Sequence, residues 1–160
     1  MPIFFWKPNQ KNGYLSNWFI TRFKENGIIF KNTEQYMMYH KALLFEDHVI
    51  ANKILLESNP ANVKNLGRQV KNFTIPKWTK HSDNIVYNGC LLKFSQNIYL
   101  KKQLLETKNE LLAEASPYDK IWGIGIIEKD AIKYITKSWN FPGENKLGKC
   151  LMKVRETLSQ

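Results

Sequence analysis

The chain has 160 residues, 43% of them hydrophobic and 13% aromatic, with a formal net charge of +10 and a sequence pI near 9.6. A chain of this length and apolar content has material for one core, which excludes wholesale disorder and predicts a single domain over residues 1–160. No apolar run approaches the roughly 20 residues that cross a bilayer, Lys7 and Pro8 interrupt the first apolar stretch too early for a secretory segment, and two cysteines are too few for a disulfide framework. A reducing, cytoplasmic setting and no membrane partner are therefore expected.

In chain order, short strands come first. Ile3-Phe4-Phe5-Trp6, Phe19 to Phe23 and Ile28-Ile29-Phe30 are β-rich runs, and the last two flank Lys24-Glu25-Asn26-Gly27, a hairpin signal. A small N-terminal antiparallel sheet is predicted. Asn32 or Thr33 then caps a helix running to about Phe45, with Gln35 at capping-box spacing from Asn32. Further helices are predicted at His48 to Glu57, at Pro60 to Phe73 with Asn59 as cap and Pro60 at its first position, at Asp83 to Phe94 and at Tyr99 to Glu106.

In the helix from Pro60, the residues Val63, Leu66, Val70 and Phe73 step by three and four and form one buried stripe. Leu111 to Ala115 reads as a strand leaving through a Ser116-Pro117 turn into a glycine-softened segment. After Pro142-Gly143-Glu144-Asn145 a last helix stripes Leu147, Leu151, Val154 and Leu158. No repeat and no linker separates domains.

Chemistry concentrates in a few places. On the helix opening at Glu34, residues seven apart return to nearly the same azimuth, so Glu34, Met38 and Lys41 share a face, with the outer two about 10 Å apart along the axis. A carboxylate and an amine lining one pocket are a working acid/base or nucleophile set. The same pair also reads as a carboxylate favouring the helix N-terminus and a solvated lysine. Gly67 inside a helical stripe signals close approach of another element or of a ligand, and Arg68 beside it is suited to phosphate or to an outward, snorkelling role.

Trp78, Trp122 and Trp139 serve either as stacking surfaces for a planar base or as core. Asn97 is a helix cap or a site residue. From Glu114 to Gly125 two carboxylates, a Ser-Pro turn, Trp122 and two glycines fall together, a mixture that a packed core does not require. His40, His48 and His81 lack metal-ligand spacing, and neither a GxGxxG nor a P-loop occurs. The positive charge, mostly lysine, suits a polyanionic partner or a simply solvated surface.

The stretches Tyr14-Leu15-Ser16-Asn17-Trp18, Thr33-Glu34-Gln35-Tyr36-Met37-Met38 with Lys41-Ala42, Asn65-Leu66-Gly67-Arg68 and Lys93-Phe94-Ser95-Gln96-Asn97 recur in a known order. With Glu114-Ala115-Ser116-Pro117, Asp119, Trp122-Gly123-Ile124-Gly125, Asn145-Lys146-Leu147-Gly148, Leu151-Met152 and Val154-Arg155, they make the chain resemble the NADAR, or YbiA-like, family over nearly its whole length. The resemblance implies a compact, mostly helical α+β domain with a small N-terminal antiparallel sheet. It implies cleavage of an N-glycosidic bond, without metal or redox cofactor.

Two substrate types go with the family: phosphorylated ribosylamino-pyrimidine intermediates of riboflavin biosynthesis, and ADP-ribose attached to guanine, including on nucleic acid. By the resemblance, Glu34, Lys41 and Asp119 are catalytic, Trp78, Trp122 and Asn97 bind substrate, and Arg68 contacts phosphate. Either Lys41 attacks the anomeric carbon and forms a Schiff base, or Glu34 or Asp119 directs water there. Many relatives carry an arginine where this chain has Ser82, which leaves Lys80 or His81 to substitute. The rival from another class is a non-catalytic nucleotide or nucleic-acid binding module. Oligomeric state is not encoded in any motif.

Overall fold

The computed structural model describes all 160 residues. The protein is α+β and mostly helical, and it comprises two compact units, one of residues 17–98 and one of residues 1–16 with 99–160.

In the unit of residues 17–98, β2 (Phe23–Glu25) and β3 (Ile28–Phe30) form an antiparallel hairpin, Phe23 opposite Phe30 and Glu25 opposite Ile28. Asn26 and Gly27 turn it with positive φ at both positions, the geometry that matches strand twist. Four helices follow: α1 (Thr33–Leu44), α2 (His48–Leu56), α3 (Pro60–Arg68) and α4 (Ile75–Ser95). The first of these packs against the other three.

Helix α1 starts where it does because Asn32 Oδ1 accepts from Gln35 N at 2.8 Å, relieving one of the unbonded first-turn amides. The buried Gln35 amide then donates to the carbonyls of Ile54, Leu55 and Glu57, and its oxygen accepts from Lys31 N, so one side chain joins the start of α1 to the end of α2. Phe23, Phe30 and Tyr36 form an aromatic core, with ring centroids 5.0 to 5.9 Å apart. Glu25 clamps the hairpin onto α1 by accepting from the Tyr36 hydroxyl at 2.7 Å and lying 2.8 Å from His40 Nε2.

In the other unit, β1 (Ile3–Phe5) pairs in parallel with β4 (Leu112–Glu114). The run at Ile3 therefore belongs to a separate two-stranded parallel sheet and not to the antiparallel hairpin. Helix α5 (Ile98–Glu106) precedes β4. After it come the short α6 (Glu128–Ala131), a 3-10 segment over Ile132–Lys137, and α7 (Lys146–Leu158), which covers β4. Phe4, Ala113, Ala115, Ile124 and Ala131 form the core here, with Trp139 and Phe141 packed on it.

Buried Asn145, at φ 56, lies along β4: its Oδ1 accepts from Glu114 N at 3.1 Å and its Nδ2 donates to Leu112 O at 2.9 Å. Ile124 N donates to Glu114 O at 2.8 Å on the same side.

Some elements differ from the sequence reading. The first hairpin strand starts at Phe23 and not at Phe19. Helix α3 stops at Arg68, so Val70 and Phe73 lie in the loop that follows; Val70 is still buried, but Phe73 is 40% exposed. Helix α4 begins at Ile75 and not at Asp83, because Pro76 sits in its first turn, where a missing N–H costs nothing. No helix is long and apolar enough to cross a membrane.

Candidate functional site

Helix α1 carries the expected face. Glu34 is buried in the first turn, and its backbone N–H donates to Asn17 O at 3.0 Å, which ties the helix start to the segment before the hairpin. Two turns on, Lys41 is half-buried, with its Nζ 4.5 Å from the ring centroid of Phe73 and 5.5 Å from that of Trp78. Burial holds the Lys41 amine below the ordinary lysine value; the Glu34 carboxylate acts against this and the Arg68 guanidinium with it. Glu34, Lys41 and Arg68 thus share one electrostatic neighbourhood.

Arg68 reaches that neighbourhood because α3 lies close on α1. A Cβ at position 67 would collide with Met38 Sδ, so Gly67 is a notch filled by Met38. Of the two sequence readings of Gly67, close approach of another element is the one observed. Arg68 itself is exposed and its Nη1 is 3.5 Å from Asn65 Oδ1. Its charge is therefore open to an anionic ligand.

The loop from α3 to α4 supplies Phe73. Buried Asp47, which caps α2 by accepting from Ile50 N at 3.1 Å, also accepts from Lys71 N at 2.9 Å. Those two backbone bonds hold its carboxyl below the usual range. The Phe73 ring lies 5.3 Å from that of Phe45, and Lys77 Nζ lies 5.4 Å from the Phe45 centroid.

Farther along α4, Lys93 is fully buried, 4.9 Å from the Phe94 centroid and 5.6 Å from that of Phe19. Burial pushes its amine down to about 8, against the pull of Cys90 one turn earlier. Cys90 Sγ is 3.9 Å from Asn17 Oδ1, so Asn17 touches both α4 and the amide of Glu34. Ser82 is buried on α4, while Lys80 is exposed and His81 half-buried.

Asn97 caps the far end of α4 from Trp78. It donates to Lys93 O at 2.7 Å and to Arg22 O, and its Oδ1 accepts from Thr21 Oγ1 at 3.0 Å. All of these bonds are internal to the fold.

Asp119 and Trp122 sit in the unit containing β4. Asp119 Oδ1 accepts from Ile121 N at 2.9 Å and Trp122 N at 2.8 Å, an Asx-type turn that follows Ser116-Pro117. Gly123 is required there, since a Cβ would press on the carbonyls of Asp119 and Glu114 at 2.8 and 3.0 Å. Trp122 is half-buried, with Lys146 Nζ 5.8 Å from its ring centroid, whereas Trp139 belongs to the core beside Phe4.

Within residues 17–98 the fold thus gathers Glu34, Lys41, Arg68 and Trp78, and leaves Asn97 at the other end of α4. Within the other unit Asp119 and Trp122 share one turn. Sequence reasoning missed Phe73 as a neighbour of Lys41, and Lys93 as a buried amine; the signal for the second was its place in the Lys93-Phe94-Ser95-Gln96-Asn97 stretch. No group of three or more His, Cys, Asp or Glu side chains is placed to hold a metal ion.

The NADAR domain family model matches residues 4–159. An N-glycosidase of Acanthamoeba polyphaga mimivirus is 50% identical over 150 residues, which are 91% of this chain and 87% of that protein. A riboflavin biosynthesis protein of Vibrio vulnificus is 28% identical over 159 residues, 99% of this chain but 39% of that longer protein. Among solved structures, the NMR structure of the E. coli protein YbiA matches with a TM-score of 0.80 and 25% sequence identity, over 98% of this chain and 84% of that one.

Proposed function

The chain belongs to the NADAR domain family and is a hydrolase of N-glycosyl bonds, and from that premise we propose that its substrate is a phosphorylated ribosylamino-pyrimidine intermediate of riboflavin biosynthesis. The observation that carries this reading is the grouping of Glu34, Lys41 and Arg68 around one partly dehydrated amine flanked by Phe73 and Trp78. The name of the Vibrio vulnificus relative supports the substrate class.

Breaking the bond from the ribose anomeric carbon to nitrogen builds positive charge on the sugar and negative charge on the leaving base. In this reading Glu34 offsets the first and Arg68 holds the phosphate. The unprotonated Lys41 attacks the anomeric carbon, and the base leaves with the bonding pair and takes the proton that the lysine nitrogen gives up. The bond from that carbon to the ring oxygen then opens, the oxygen taking a proton, to give the lysine Schiff base, from which water releases ribose 5-phosphate. Trp78 provides a stacking face for the base, and the roles of Trp122 against the base and of Asp119 as a further carboxylate rest on the family resemblance. In the alternative route Glu34 or Asp119 directs water and Lys41 contributes charge alone.

A second reading, release of ADP-ribose from guanine, draws on the net charge of +10, which attracts substrates carried on nucleic acid. One product assay separates the two. The protein is incubated with each substrate and free ribose 5-phosphate and free ADP-ribose are measured; ribose 5-phosphate is expected, and ADP-ribose alone replaces the first reading by the second.

Residues 1–160 are further read as one domain, since a single family match runs through both compact units. The buried Cys90 and Cys150 form no disulfide, which suits a reducing cytoplasm.

A further inference from the structure

We propose that Phe73 is a positioning residue for Lys41: its ring covers the amine and excludes water from it, and Asp47 sets the path of the loop that places the ring. The inference rests on the reading of Lys41 as a reacting amine, and adds a residue outside the motifs that support that reading.

The geometry is specific. Phe73 is 40% exposed, and Lys41 Nζ lies over its ring, 4.5 Å from the centroid. Trp78, 5.5 Å away, supplies a second aromatic neighbour from the first turn of α4. The loop of residues 69–74 has no secondary structure to fix it. Its buried anchors are Val70 and the bond from Lys71 N to Asp47 Oδ2, two residues before Phe73. The contact with Phe45 then holds the ring from the side.

Two opposing effects follow from an aromatic cover. The ring face attracts an ammonium, which favours the charged amine, while loss of water favours the neutral one. Burial is the largest of the desolvation and charge influences on Lys41 and acts toward the neutral form, and the proposal is that the ring acts chiefly through this loss of water. The charged groups facing the amine are Glu34 from α1, which opposes the effect, and Arg68 from α3, which reinforces it. On the α4 side, Lys77 directs its ammonium at Phe45. Asp47 is occupied by the backbone of Ile50 and Lys71.

Competitive acylation with acetic anhydride over a pH series, read at Lys41 by mass spectrometry, tests the proposal without any assay of turnover. In Phe73→Ala the midpoint of Lys41 labelling is expected to move to higher pH, and in Phe73→Leu, which keeps an apolar cover, to stay near that of the unaltered protein. Asp47→Ala, which removes the acceptor of Lys71 N and frees the loop, should shift it as Phe73→Ala does. A Phe73→Ala curve superimposed on that of the unaltered protein overturns the proposal; if that variant does not fold, an unshifted Asp47→Ala curve does so. The low-pH limb of kcat/KM should move in step with labelling. If labelling shifts but the unaltered protein releases neither sugar product, the cover stands and the glycosidase reading falls.

Discussion

Met38 Sδ occupies the space that a side chain on residue 67 would need. Gly67→Ala therefore sets overpacking of about 1–3 kcal/mol against a gain in helix propensity of roughly 1 kcal/mol. The difference is a net loss of about 0–2 kcal/mol, with about 1 kcal/mol at its middle, and the loss should be smaller in a Met38→Ala background. Urea unfolding of the two single variants and the double variant measures it. A more stable Gly67→Ala protein would show that α3 does not need the notch.

Lys41→Arg keeps the positive charge and removes the nucleophile. If Lys41 forms the Schiff base, turnover should fall by at least about 100-fold, and borohydride added during turnover of the unaltered protein should leave an adduct on Lys41. Because the neutral amine is the reacting form, the rate should rise with pH through a midpoint below the ordinary lysine value, in the direction that burial sets. Full activity of Lys41→Arg would leave water attack directed by a carboxylate.

Asp119 has a structural duty that the sequence reading did not separate from a chemical one. Its Oδ1 holds two backbone amides, and Asn keeps that acceptor. Asp119→Asn should therefore melt near the unaltered protein while losing most turnover, whereas Asp119→Ala should also lose about 1 kcal/mol of stability. Unchanged turnover in Asp119→Asn would confine the residue to its turn.

Lys93 makes stability depend on pH. Its amine is held at about 8 in the folded protein and returns to about 10.4 on unfolding. Between those values the unfolded chain binds more protons, so stability should rise as pH rises, and below about 8 the full cost of burying the charge remains. At about 1.36 kcal/mol per pKa unit the total is about 3 kcal/mol. Lys93→Met should flatten this part of the stability curve relative to the unaltered protein, measured by urea unfolding at several alkaline pH values. Parallel curves would mean that the amine is not dehydrated.

Local chemistry was legible and distant pairing was not. The Asn32 cap, the Asn26-Gly27 turn and the shared face of Glu34 and Lys41 are encoded within a few residues, and the structure has the cap, the turn and the helix that makes the face. The partner of Ile3–Phe5 lies near the other end of the chain, where no periodicity points to it. Phe73 continued the stripe of Val63 and Leu66 in register, but the helix ends at Arg68, so its position depends on Asp47 in another loop. Lys93 was hidden for a different reason: a lysine is almost never fully buried, and its burial here is set by Phe19, Phe94 and the packing of α4.

The side chain of Asn145 gives the short sheet of β1 and β4 a boundary. Leu112 O and Glu114 N, which would otherwise offer a template to an incoming strand, are already engaged by Asn145, and Glu114 O by Ile124 N. An open edge of this kind is where sheets from separate molecules join. One asparagine with positive φ thus stands in for a third strand and closes the ladder, which guards the protein against edge-to-edge aggregation along β4.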